Sequence, residues 1–237
     1  YRDYPGREDR PPLLCIPGLT RNARDFEPVA EAFAGEWRVL AVDLRGRGDS
    51  DDAKDSATYQ APQYVADIDA LLEQAQIDRF VAVGTSLGGI ITMLLAAQNA
   101  GRIAGAVIND IGPAVEEQGL ARIRSYVGQG RTFPSWMHAA RALRESHGAA
   151  HPGYSIDDWL VAAKRMMSVG GNGRIAFDYD MKIADRFNAP PPPAPVDLWP
   201  AWRALRGRPV LALRGALSDL LSPETFARMG KEIPDAE

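Results

Sequence analysis

The sequence predicts an α/β protein: a mostly parallel sheet flanked by helices and interrupted by a helical insertion. Three observations carry this. Short apolar runs alternate with segments of helical period up to residue 112, the pattern of a parallel sheet. From 113 to 197 the alternation stops and only helical patterns are found. From 198 to 237 it resumes. The expected organisation is a first core segment over 1–112, a helical cap over 113–197 and a second core segment over 198–237.

Tyr1-Arg2-Asp3-Tyr4 reads as the end of a strand, without an initiator Met. Leu13-Leu14-Cys15-Ile16 is continuously apolar between Pro12 and Pro17-Gly18, which marks a strand buried on both faces. Asn22 is placed to cap a helix carrying Phe26, Val29, Ala30 and Phe33 at helical spacing. Residues 37–42 predict the next strand, which runs into the glycine-rich loop Asp43-Leu44-Arg45-Gly46-Arg47-Gly48-Asp49-Ser50. Its Arg47-Gly48-Asp49 tripeptide is expected to belong to a loop held by local charge pairs, not to an integrin-type signal. Pro62 opens a helix with Val65, Ile68, Leu71 and Leu72 on one side. Phe80-Val81-Ala82-Val83 is a strand, and the helix from Leu87 to about Asn99 is apolar nearly all round, as a covered central helix would be. Residues 103–108 form another strand. Helices are expected at 115–127, 135–146 and 156–169, the last with Ser155 as cap and Asp158 three residues on. Pro190-Pro191-Pro192-Pro193-Ala194-Pro195 reads as a stiff connector. Residues 198–205 are helical, 209–213 a strand, and Ser222-Pro223 starts a helix.

The chemistry concentrates at Gly84-Thr85-Ser86-Leu87-Gly88, a G-x-S-x-G lying between a strand and a helix. That context makes it a nucleophile elbow, in which glycines let the helix cross close to its strand. Ser86 is therefore the candidate nucleophile of a hydrolase. Attack on an ester carbonyl creates an oxyanion, which calls for two preset N–H donors. One belongs to Leu87, the residue after the nucleophile, and the other to the turn after the 13–16 strand.

In four motifs the chain resembles the α/β-hydrolase fold family, in its capped serine esterase and lactonase-like branch. They are Pro17-Gly18-Leu19-Thr20, the loop 43–50, Gly84-Thr85-Ser86-Leu87-Gly88-Gly89, and Gly215-Ala216-Leu217-Ser218-Asp219. The resemblance implies that Leu19 supplies the second oxyanion N–H. It implies a triad acid after a later strand, where Asp219 lies; Asp110, after the strand that follows the nucleophile helix, is the alternative. It places the triad histidine one strand beyond Asp219, past Glu237, so the chain is expected to be truncated at both ends. An unpaired sheet edge is expected with it. His138, His147 and His151 all fall in the insertion and are read as surface or pocket-lining residues. The cap implied by the family roofs the site. Trp136, Met137, Trp159 and Met167, with Phe133 and Met166, are candidates to bind substrate there, and Arg21 and Arg24 are candidates to meet a substrate carboxylate.

Composition bounds the function class. With 46% apolar and 24% charged residues the chain is an ordinary globular one. A net charge of −4 gives no ground for nucleic acid or an anionic membrane as partner. The single cysteine, Cys15, excludes an intramolecular disulfide and fits a reducing, cytoplasmic setting. No apolar run approaches the ~20 residues of a membrane span. No metal-ligand pattern is found, and no cofactor is expected. The expected function is cleavage of a small-molecule carboxylic ester or lactone through an acyl-enzyme. The alternatives are a carbon–carbon bond hydrolase or a non-catalytic small-molecule-binding protein on the same fold.

Overall fold

Leu13–Ile16 is buried at every residue because its side chains alternate between two separate apolar layers. Leu14 and Ile16 enter the main core, while Leu13 and Cys15 join Phe26, Ala30, Val39 and Ala41 on the opposite face. The computed structural model of the chain describes residues 1–188 and 196–237. Its strands in chain order are β1 (Arg2–Tyr4), β2 (Leu13–Ile16), β3 (Val39–Ala41), β4 (Phe80–Thr85), β5 (Ile103–Asn109), β6 (Thr132–Phe133), β7 (Met167–Val169), β8 (Ile175–Phe177) and β9 (Val210–Leu213). The helices are α1 (Glu27–Ala32), α2 (Ala61–Gln74), α3 (Leu87–Asn99), α4 (Glu117–Tyr126), α5 (Trp136–His147), α6 (Ile156–Met166), α7 (Asp185–Asn188), α8 (Trp199–Arg203) and α9 (Pro223–Glu232).

The main sheet has the order β1-β3-β2-β4-β5-β9. Every pairing is parallel except that of β1 with β3. α3 packs between α2 and α8, which accounts for its apolar circumference. Strand 37–42 is shorter than expected at its start, because the Trp37 N–H closes the last turn after α1 on Phe33 O at 3.0 Å. Cys15 is fully buried, and burial pushes its thiol up to about 12, so it is an inert core residue. At the far edge, β9 already receives the main chain of Glu237, through Glu237 N to Val210 O at 3.0 Å.

The insertion is not purely helical. Alongside α4, α5 and α6 it carries a small antiparallel sheet of order β6-β8-β7. The helix expected over 156–169 stops at Met166, and 167–169 is strand. The cause is Gly170-Gly171-Asn172-Gly173, a hairpin turn with Gly173 at φ +75°. α6 begins as expected, with Ser155 and Asp158 forming a reciprocal capping box. The insertion has its own apolar core, in which Ala139, Ala140 and Leu143 of α5 meet Trp159 and Ala163 of α6. The proline-rich connector expected at 190–195 lies outside the described residues.

Two sets of hydrogen bonds seat the insertion on the sheet. Gly48 N donates to Asp178 O at 3.1 Å, and Asp180 N to Gly46 O at 2.8 Å. Across the site, Asn22 Nδ2 donates to Arg165 O at 2.9 Å and Arg24 Nε to the same oxygen at 3.1 Å. Arg24 also pairs with Asp178 at 2.5 Å.

Candidate active site

Ser86 sits at φ +52° and ψ −116°, a left-handed backbone that a β-carbon resists. Its neighbours leave no alternative to glycine. A Cβ at Gly88 would lie 2.0 Å from Ile16 O, and one at Gly84 would lie 2.4 Å from Gly88 O. The elbow thus presents Ser86 at the C-terminal end of β4, at the start of α3. Ser86 Oγ makes no hydrogen bond among the described residues, and the residue is half-buried.

The turn after β2 lies beside it. A Cβ built on Gly18 would be 3.7 Å from Ser86 Cβ. The N–H groups of Leu19 and Leu87 are engaged in no turn, cap or side-chain hydrogen bond among the described residues. The turn is held from behind by Arg47, which is only 1% exposed. Its Nε donates to Leu19 O at 2.8 Å, and its Nη1 to Arg45 O at 2.6 Å and to the Tyr64 hydroxyl at 2.9 Å. Its Nη2 is buried without a partner among the described residues. The loop 43–50 is fixed both by side-chain-to-backbone bonds and by an ion pair, Arg45 with Asp67 of α2 at 2.5 Å. The Asp43 carboxylate accepts from Ala23 N at 2.6 Å and Asp49 N at 3.1 Å. Burial of Arg47 also removes the Arg47-Gly48-Asp49 tripeptide as a displayed signal.

A cavity of about 610 Å³ opens above Ser86 between the sheet and the insertion. Gly18, Leu19, Thr85 and Ser86 form its floor. Ile123 and Tyr126 of α4, Leu143 of α5 and Trp159 and Met166 of α6 form its apolar walls. Of the six residues expected to bind substrate, Trp159 and Met166 line this cavity; Phe133, Trp136, Met137 and Met167 do not. α5 turns its Ala139 stripe toward α6, so Trp136 packs within the insertion's own core. Met167 opens β7 and is buried in that same core. Leu143 and Tyr126 were missed by sequence reasoning, as was Arg165; the i, i+3 pair Ile123 and Tyr126 was the available signal.

The candidate acids differ in what they touch. Both oxygens of Asp219 accept from Arg122, at 2.5 and 2.7 Å, and this holds its carboxyl below the usual range. Asp110, at φ +56°, directly follows β5 and accepts from Gly215 N at 2.9 Å through one oxygen only among the described residues. His147 and His151 line the cavity; His138 does not. Arg21 is paired with Asp25 at 2.5 Å and Arg24 with Asp178, so neither expected carboxylate partner is unengaged. Among the described residues no group of three or more His, Cys, Asp and Glu side chains could hold a metal ion, and no helix is long and apolar enough to cross a membrane.

The family model described as alpha/beta hydrolase fold matches residues 11–154, from just before β2 into the insertion. The chain belongs to the alpha/beta hydrolase fold family. This alpha/beta hydrolase is 35% identical to the 3-hydroxybutyrate-oligomer hydrolase of Cupriavidus necator, over 95% of the chain and 80% of that protein. It is 26% identical to the 2-(acetamidomethylene)succinate hydrolase of Mesorhizobium japonicum, over 95% of the chain and 77% of that protein. Among solved structures, an alpha/beta hydrolase from Novosphingobium aromaticivorans superposes with a TM-score of 0.95 at 60% identity, covering 100% of this chain and 83% of that one.

Proposed function

We propose that this alpha/beta hydrolase cleaves a carboxylic ester through an acyl-enzyme on Ser86. The observation that carries the reading is the strained Ser86 beside two unengaged N–H groups, those of Leu19 and Leu87. Ser86 Oγ adds to the ester carbonyl and gives up its proton to a base. The carbonyl oxygen becomes an oxyanion, held by the two N–H groups. Collapse expels the alkoxide, which takes the proton, and water repeats the sequence to free the acid. In this reading the base is an imidazole from the segment that follows β9 in the family pattern. Relatives named as a 3-hydroxybutyrate-oligomer hydrolase and as an sn-1-specific diacylglycerol lipase of Xenopus laevis support an ester substrate.

The orienting acid is assigned to Asp110. An acid in this role keeps an oxygen for the imidazole N–H. Asp110 has one without a partner among the described residues, whereas Arg122 engages both oxygens of Asp219. The test uses protein from the complete reading frame with p-nitrophenyl butyrate. Ser86→Ala abolishes turnover, and Asp110→Asn lowers kcat by about 10⁴. Asp219→Asn lowers it less than about tenfold. Unchanged activity of Ser86→Ala refutes the nucleophile, and a reversed order of the two Asp variants returns the acid to Asp219.

A further inference from the structure

The charged groups around the cavity over Ser86 are unequally engaged. Arg21 is bonded to Asp25 and Arg122 to Asp219. Asp158, at the rim, accepts from the Ser155 N–H at 2.8 Å and from its hydroxyl at 2.7 Å. That leaves one cavity-lining guanidinium, Arg165, with no ion pair or side-chain hydrogen bond among the described residues. Its main chain is nevertheless firmly placed. Asn22, itself 1% exposed, and Arg24 both donate to Arg165 O. These two residues directly follow the turn that carries Leu19. The side chain therefore starts next to the oxyanion turn and lines the same cavity as Ser86.

α6 presents two adjoining stripes to this space. Trp159, Ala162 and Met166 are its apolar inner stripe, and Asp158, Val161 and Arg165 run beside them at i, i+3 and i+7. The result is an apolar wall edged by a guanidinium that makes no ion pair among the described residues. We propose that the site selects esters carrying a free carboxylate, which the Arg165 guanidinium binds. This rests on the reading of Ser86 as the nucleophile. A planar fork of N–H donors matches a carboxylate bidentately, and such charge-assisted pairs are the strong ones.

The test compares mono-4-nitrophenyl adipate with its methyl ester, a pair differing only in the charge at the far end of the acyl chain. A second pair, 4-butyryloxybenzoate and its methyl ester, places the carboxylate on the leaving group. In at least one pair the anionic member has the higher kcat/KM, by about tenfold, and the ratio shrinks with added salt. Arg165→Met brings that ratio to about one and Arg165→Lys retains part of it, whereas the exposed Arg79→Met leaves it in place. Ser86→Ala binds the intact anionic ester more tightly than the methyl ester, by a similar factor, which reads selection without turnover. Equal treatment of both members in both pairs, or a ratio that survives Arg165→Met, overturns the proposal. Failure of the wild-type protein to cleave any of the four overturns the nucleophile reading instead, and the Ser86→Ala binding ratio then judges the carboxylate site by itself.

Discussion

Replacing Arg47 by methionine tests whether the turn that carries Leu19 is held from inside the core. The guanidinium makes three hydrogen bonds, to Leu19 O, Arg45 O and the Tyr64 hydroxyl. At roughly 1.5–3 kcal/mol for each charge-assisted bond, they contribute about 4.5–9 kcal/mol. Against this stands the cost of desolvating a cation, several kcal/mol, which methionine does not carry. That cost is visible in the unpartnered Nη2 and in the lowered pKa of the group, for which burial is the leading cause. The Tyr59 and Tyr64 rings, 5.6 and 4.9 Å from the guanidinium carbon, recover a little of it. The difference is a loss of about 3 kcal/mol. Urea unfolding at neutral pH reads it as a lower midpoint. Arg47→Lys loses a similar amount, because a point charge on a flexible stem cannot serve three acceptors arranged for a fork. A methionine variant as stable as the wild type would refute the reasoning, since burial of the cation would then outweigh its bonds.

Other consequences can be checked separately. Gly88→Ala drives a Cβ against the Ile16 carbonyl and destabilises by about 3 kcal/mol, while Gly153→Ala, with nothing within 4 Å, stays within about 0.5 kcal/mol in the same unfolding assay. Arg24→Met removes the bonds to Arg165 O and to Asp178, so amide hydrogen exchange in 167–178 accelerates while that of β4 and β5 does not. His147 is depressed in the folded protein, so between its folded pKa and about 6.5 the unfolded chain binds the extra proton. Stability attributable to this group is complete above about pH 6.5 and is lost as pH falls through the folded value. His147→Gln flattens that slope in unfolding curves between pH 7.5 and 5.5, and an unchanged slope counts against it.

The main sheet and the elbow were legible because their causes are local. A glycine two residues either side of Ser86 is a steric requirement that any reader of the chain can state. The hairpin from β7 to β8 was also written locally, in Gly170-Gly171-Asn172-Gly173, but the helical period leading into it masked the turn. Other features were out of reach because they depend on distant partners. Asp110 and Asp219 both follow strands; what separates them is Arg122, 97 residues from Asp219. Arg24 and Arg165 are both arginines near the site, and only Asp178, 154 residues from Arg24, decides which one is engaged. Trp136 and Trp159 both lie near the start of amphipathic helices, and the packing of α5 on α6 determines which reaches the cavity.

The contacts that seat the insertion have a bearing on how the protein can change. Most of the bonds from the sheet side end on main-chain atoms of the insertion: the carbonyls of Arg165, Met167 and Asp178 and the N–H of Asp180. Those atoms are present whatever side chains the positions carry. The roof over Ser86 is therefore free to vary in sequence while remaining in register with the floor that carries Ser86. Arg165 is a direct instance, because its carbonyl does the anchoring and its side chain is left over for selection. New substrate ranges are open to this scaffold by substitution in one lobe, with the attachment conserved by geometry rather than by residue identity.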